Sequence, residues 1–258
     1  MGFHVVIPAR YASTRLPGKP LLDIGGRTMI QRVVEQACAS GADEVLVATD
    51  DERIAAAVHD PRQPGRAIAV LTDPGLPSGT DRVAVVAAVR GWNADAVVVN
   101  VQGDEPFLPP ALVGQVAELL ERDPAAHIAT LATPIGSLDE FTDPNVVKVV
   151  TALDGAALYF SRAPVPWSRD GAPAGLASQR EFAGAMRHVG LYAYRVGALR
   201  RITSLPPTAL ELQEKLEQLR ALEHGLRIVV GTCAERPAPG VDTVADLERA
   251  RQRVAVTS

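Results

Sequence analysis

The sequence predicts a doubly wound, mainly parallel α/β sheet, with an antiparallel part inserted at about 127–205 of a single domain spanning 1–258. Three observations carry that expectation. Short runs rich in Val, Ile and Ala, namely "HVVIPA" (4–9), "EVLVATD" (44–50), "AIAVLT" (67–72) and "AVVVNVQ" (96–102), are near-continuously apolar rather than alternating. Strands buried on both faces read this way. Helical patterns separate the runs, and strand–helix–strand repetition winds right-handed into a parallel sheet. From about residue 127 the pattern changes to strands joined by hairpin and Pro-rich turn signals.

Each element follows from its own spacing. In 28–39, Met29, Ile30, Val33, Val34, Ala37 and Cys38 share one helical face, and Gly41 supplies a stop. Segments 80–90 and 110–121 behave alike. "HIATLATPI" and "NVVKVVTALDGAALYFSRAPVPW" predict strands, with Asp154-Gly155 as a hairpin turn. In "RHVGLYAYR" (187–195), alternation sends Val189, Leu191 and Ala193 to one face and His188, Gly190 and Tyr192 to the other. A helix is expected from about 209 to 224, with an apolar stripe of Leu212, Leu216 and Leu219 and a polar stripe of Glu211, Glu214 and Gln218. Strand "RIVVGT" and helix "TVADLERARQRV" close the pattern.

Composition narrows the class of partner. The chain of 258 residues is 47% hydrophobic and 22% charged, with a formal net charge of −4. That balance suits a soluble globular protein and argues against nucleic acid, whose binders carry a basic surplus. No apolar stretch approaches the roughly 20 residues that span a bilayer. No membrane association and a cytoplasmic address are therefore expected. Cys38 and Cys233 lie far apart without metal-ligand spacing, and read as inert thiols.

Against the acidic background, "IPARYASTRLPGKPLLDIGG" (7–26) holds Arg10, Arg15 and Lys19 with no acid before Asp23. A loop after the first strand lies at the carboxyl edge, where open α/β sheets bind ligands. It carries neither G-x-G-x-x-G nor a complete Walker A, since Ser13 stands where the first glycine of the latter belongs. Small residues and cations still suit a triphosphate, and a solvated basic loop is the plain alternative. "VVVNVQGDEP" (97–106) ends a buried strand in Gln102-Gly103-Asp104-Glu105, so Asp104 is either a turn residue or a carboxylate for Mg²⁺ against a triphosphate. In "GVDTVADLE" (240–248), Thr243 and Asp246 form a capping pair, which leaves Asp242 as a second carboxylate for the same metal. In "SGTDR" (78–82), Ser78 or Thr80 caps a helix, or the loop closes over a base with Arg82 holding it. His188 and Tyr192 flanking Gly190 suggest a surface for a polar ligand, and the Glu211 stripe, if it faces them, binds hydroxyls.

"IPARYASTRLPGKPL", "SGTDR", "VNVQGDEP", "LYFSRAPVPW", "RHVGLYAYR", "LELQEKLEQLR" and "GVDT" appear in the order they take in the 3-deoxy-manno-octulosonate (Kdo) cytidylyltransferases, which the chain resembles from about residue 3 to 253. The opening motif is shared loosely with other sugar nucleotidyltransferases, whereas "VQGDEP" with "SRAPVPW" and "RHVGLYAYR" is more specific. The resemblance implies a nucleotide-diphospho-sugar transferase-like fold, transfer of CMP from CTP to Kdo with Mg²⁺ as cofactor, a role in lipopolysaccharide biosynthesis, and a homodimer formed through the antiparallel part. It implies that Arg10, Ser13, Arg15 and Lys19 form the phosphate loop, with Arg10, Lys19 and Asp104 catalytic. Ser78, Arg82 and Gln102 would lie on the nucleotide side, and Asp104 and Asp242 on the metal. Gln102, Arg162, His188, Tyr192, Glu211 and Gln218 would surround the sugar, with the Arg162 fork suited to its carboxylate. A cytidylyltransferase for another acid sugar and a nucleotide-sensing binding protein on the same scaffold are the rival readings.

Overall fold

Val5, Val6 and Ile7 have no solvent exposure, and they set strand β1 (Phe3–Ala9) in the middle of the sheet. The structure is a computed structural model that describes residues 2–12, 16–59, 67–172 and 174–257. Along the chain β1 is followed by α1 (Met29–Cys38), β2 (Glu44–Thr49), α2 (Glu52–Val58), β3 (Ile68–Leu71), α3 (Gly79–Val89), β4 (Val97–Asn100) and α4 (Pro110–Arg122). Then come β5 (Ile128–Pro134), α5 (Leu138–Thr142), β6 (Lys148–Thr151), β7 (Ala157–Ser161), β8 (Met186–Arg195), α6 (Val196–Ser204), α7 (Ala209–Glu214), α8 (Gln218–Glu223), β9 (Ile228–Thr232) and α9 (Val244–Thr257).

The strands form one mixed sheet in the order β3-β2-β1-β4-β8-β5-β9. The first four are parallel to one another, as their apolar runs predict, and β9 runs parallel to β5. β8 lies antiparallel between β4 and β5. The antiparallel part is thus woven into the sheet rather than set apart from it. Only the β6–β7 hairpin projects, pairing with the start of β8 through Lys148 and Val149.

Alternate residues of each strand pack on opposite layers. Val5, Ile7, Val97 and Val99 meet α1, α2 and α4, whereas Val6 and Val98 meet α3, α6 and α8. Asn100 shares its parity with Val98 and so belongs to the second layer. In β8, Leu191 and Ala193 join the first layer and Tyr192 and Tyr194 the second, the division the alternation predicts. α9 lies against a smaller cluster of Leu16, Ile24, Met29 and Val241, which returns the end of the chain to the loop after β1.

One expected helix is broken. Instead of running from 209 to 224, the chain forms α7 and α8, separated at Lys215, which adopts the left-handed region at φ 55°. The break follows from two competing commitments of the polar stripe. Glu214 accepts from Ser161 Oγ at 2.7 Å and from the Arg162 backbone N–H at 3.0 Å, whereas Glu211 accepts from Arg220 Nε at 2.8 Å.

Candidate active site

The loop leaving β1 is shaped by three contacts. The Tyr11 N–H donates to Asp50 Oδ1 at 3.2 Å, and the Arg53 guanidinium lies over the Tyr11 ring at 3.6 Å from its centroid. The ring in turn packs against Gly18, where φ is 65° and a Cβ would sit 3.3 Å from it. A side chain there would face both backbone strain and this close neighbour. Gly18 precedes a one-turn 3-10 helix, Lys19–Leu21, that presents Lys19.

Lys19 is not the unpaired cation its surroundings in sequence suggest. Its Nζ donates to Asp104 Oδ2 at 2.8 Å and to Asp242 Oδ1 at 2.9 Å, joining residues 85 and 223 positions away. Each acid is held by its own turn. Gly103 permits the close approach of the 102–105 turn to β1, since a Cβ there would lie 2.8 Å from the Pro8 carbonyl oxygen. The Val241 N–H donates to the Asp104 carbonyl at 2.9 Å, fixing the two acidic segments side by side. Asp246 accepts from the backbone of Asp242 and Thr243 and from Thr243 Oγ1, the capping arrangement the sequence predicts. Glu105 stands behind the pair, its carboxyl pushed up to about 7 by burial and then by the charge of Asp104.

The two carboxylates fit a magnesium ion. Their oxygens converge on one cation, both are accessible, with side-chain exposures of 35% and 46%, and both are hard donors. Among the described residues no group of three or more His, Cys, Asp or Glu side chains is arranged for a metal. Two carboxylates completed by substrate oxygens and water are a usual way of holding Mg²⁺.

A cleft of about 300 Å³ opens beside this cluster, lined among others by Arg10, Lys19, Ser78, Arg82, Gln102 and Asp104. Arg10 is exposed and makes no ion pair among the described residues; Ser13 and Arg15 lie outside those residues. Ser78 is the N-cap of α3, accepting from the Asp81 N–H at 3.1 Å, so of the two capping candidates Ser78 fills the role rather than Thr80. Arg82, expected on the nucleotide side, lines the cleft, and its guanidinium, 3% exposed, donates to Asp50 Oδ2 at 2.8 Å and to Thr72 Oγ1. It forms part of the cleft's floor, already committed to protein partners. Asp50, which the sequence reading passed over, therefore ties the β1 loop to α3.

A second cleft of about 210 Å³ adjoins the first, and Gly79 and Gln102 line both. Thr80, Asn100, Tyr192, Glu217 and Gln218 contribute to its wall. Burial raises the Tyr192 phenol well above its ordinary range, so it is a neutral hydrogen-bonding group. Three residues expected around the sugar are not among those that line this cleft, and they pair within the protein. His188 is half-buried and hydrogen-bonded to Thr130 Oγ1 at 2.9 Å, with desolvation pulling its imidazole down to about 3. Arg162 donates through Nε to the Glu214 carbonyl at 2.6 Å and through Nη1 to the Pro144 carbonyl at 2.9 Å, which fixes the end of β7. Glu211, 9% exposed, pairs with Arg220 and accepts from the Thr208 N–H. All three are rich in local partners, and the signal that separates them from Tyr192 and Gln218 is three-dimensional. Of the two thiols, Cys233 is half-buried and raised to about 11, mainly by burial, and both cysteines are free.

A sheet whose carboxyl edge carries a lysine-bridged acid pair beside two joined polar clefts suits a nucleotidyltransferase. The family model described as Cytidylyltransferase matches residues 4–228. Relatives named 3-deoxy-manno-octulosonate cytidylyltransferase include those of Thioalkalivibrio sulfidiphilus, 53% identical over 96% of this chain and 97% of theirs, and Xanthomonas axonopodis pv. citri, 53% identical over 98% and 96%. A solved structure of CMP:2-keto-3-deoxy-manno-octonic acid synthetase complexed with CTP superposes with a TM-score of 0.86 at 41% identity, covering all of both chains. The chain belongs to the 3-deoxy-manno-octulosonate cytidylyltransferase family.

Proposed function

We propose that this chain transfers CMP from CTP to Kdo, giving CMP-Kdo and pyrophosphate and activating Kdo for lipopolysaccharide biosynthesis. The observation that carries the reading is the placement of Lys19, Asp104 and Asp242 beside two clefts that share Gln102. CTP occupies the larger cleft, with Arg10 and Lys19 on its phosphates, and the sugar acid occupies the smaller. The anomeric hydroxyl of Kdo attacks the α-phosphorus in line, a P–O bond forms, and the bond to the leaving pyrophosphate breaks. For such a reaction the protein's work is positioning and charge stabilisation.

Asp104 and Asp242 are the residues that would hold Mg²⁺. When bound, the ion offsets phosphate charge and is worth several kcal/mol of stabilisation. Lys19 then exchanges its carboxylate partners for phosphate oxygens, and with Arg10 it takes the charge that grows on the leaving group. Gln102, reaching both clefts, aligns nucleotide and sugar. Arg82, held by Asp50 and Thr72, shapes the nucleotide cleft from beneath. Arg162, His188 and Glu211 act on the sugar side as supports: through Glu214, Thr130 and Arg220 they fix β7, β8 and α8.

The same reading makes the protein a cytoplasmic homodimer joined through its antiparallel part, a proposal supported by the exposed Leu153, Leu158, Trp167 and Leu176 on and after the β6–β7 hairpin. The test of function is pyrophosphate release with Mg²⁺ and Kdo, comparing CTP, UTP, ATP and GTP, with and without EDTA. Release that requires Kdo and metal and prefers CTP supports the reading. Release only with another acid sugar moves the substrate, and no release with any sugar leaves a binding protein.

A further inference from the structure

Asn100 ends β4 in the sequence Val97-Val98-Val99-Asn100, where parity with Val98 places it on the layer of Tyr192 and Tyr194. It is 2% exposed, it stands opposite Tyr192 in the β4–β8 register, and it lines the smaller cleft. Its Oδ1 is buried and has no hydrogen-bond partner among the described residues. A buried amide oxygen left unpaired costs about 1–3 kcal/mol, and such groups in native proteins call for an explanation. Around it, Tyr192 and Tyr194 stack on each other with ring centroids 5.8 Å apart, and the Gln102 and Gln218 side chains line the same cleft.

We infer that Asn100 is a sugar-binding residue whose amide pairs with a hydroxyl of the acceptor in the smaller cleft. This rests on the assignment of that cleft to the sugar acid. The chemistry favours a polyhydroxylated acceptor. The wall offers the neutral groups Thr80, Asn100, Gln102, Tyr192 and Gln218, with Glu217 as the one ionisable carboxyl among the residues that line it. An amide with an acceptor and donors suits a hydroxyl, which both gives and accepts a hydrogen bond. A site built to pair a hydroxyl rejects the analogue that lacks it, because its own buried polar group is left unpaired.

The test uses the full chain with CTP, Mg²⁺ and Kdo, and compares wild type with Asn100→Ala and Asn100→Ser by pyrophosphate release. KM for Kdo is expected to rise about tenfold in Asn100→Ala, the effect of losing one buried hydrogen bond, while KM for CTP stays within twofold. Kdo analogues that each lack one hydroxyl supply the second readout. One of them should be about tenfold poorer for wild type, yet no poorer than Kdo for Asn100→Ala. An unchanged KM for Kdo in both variants, or equal losses for Kdo and CTP, overturns the inference. Should Asn100→Ala not fold, Asn100→Ser and the wild-type analogue series decide alone, and a wild type indifferent to every deleted hydroxyl overturns the inference. A wild type that releases no pyrophosphate with Kdo refutes the functional reading, and this assignment falls with it.

Discussion

Lys19 holds the site's logic in one side chain. In this structure its ammonium is the counter-ion of Asp104 and Asp242, and in the proposed reaction it serves phosphate instead. Lys19→Ala should therefore lower kcat on the order of 10²-fold, as the loss of one preorganised charge-stabilising donor does elsewhere, with a smaller change in KM for CTP. Near-normal turnover would remove Lys19 from the chemistry. His188 makes a different prediction. Its imidazole is held near 3 by burial, against 6.5 in an unfolded chain, so between those values the unfolded state binds the extra proton. The stability linked to neutral His188 is complete above about pH 6.5 and declines as pH falls towards 3. His188→Gln should flatten the pH dependence of the urea midpoint in that window by about one proton, and an unaltered slope would show the site to be solvated. Residues differ in how legible they are from sequence. Asp104 and Lys19 stand out because their motifs, "VNVQGDEP" and "IPARYASTRLPGKPL", carry the family resemblance, whereas an acid at a strand end alone reads equally as a turn residue. Arg162, His188 and Glu211 occupy equally polar motifs, yet their partners Glu214, Thr130 and Arg220 are visible only once the chain is folded.

Elements follow spacing more faithfully than side chains do. The apolar runs of β1, β2 and β4 and the stripe of α1 are laid down within windows of ten residues or so, where periodicity decides. The break between α7 and α8 is not, because it depends on Glu214 reaching β7 and Glu211 reaching Arg220. Its cost is local. Lys215 sits at φ 55°, where β-branched residues are strained. Lys215→Val should lower stability by about 1 kcal/mol, or roughly 2–4 °C in Tm for a chain of this size. Lys215→Gly should cause no loss. Two substitutions with equal effects in thermal unfolding would mean that the break is not held in the left-handed conformation. The short helices α2, α5 and α6 escaped the sequence reading, since five to nine residues give too little of a period to register.

At the scale of the molecule, strand order is what brings the site together. β1 and β4 lie side by side, so the loop carrying Lys19 meets the turn carrying Asp104, and α9 packs against that loop with Asp242 at its start. The pairing of β8 with β4 then places Tyr192 opposite Asn100 and closes the smaller cleft against the larger. Sequence implies a parallel sheet through its apolar runs, but nothing in a run states that an antiparallel strand will be threaded between β4 and β5. If the exposed hairpin face is a subunit interface, Leu158→Asp should convert a dimer to a monomer by light scattering, whereas a monomeric wild type would remove that part of the proposal. The lysine-bridged acids are the proposed place of CMP transfer. That role is tested most directly by the turnover of Asp104→Asn at saturating CTP, Kdo and Mg²⁺. A loss of at least 10²-fold is expected in a protein whose thermal unfolding is unchanged, and turnover within a few-fold of wild type would remove the acid pair from the chemistry.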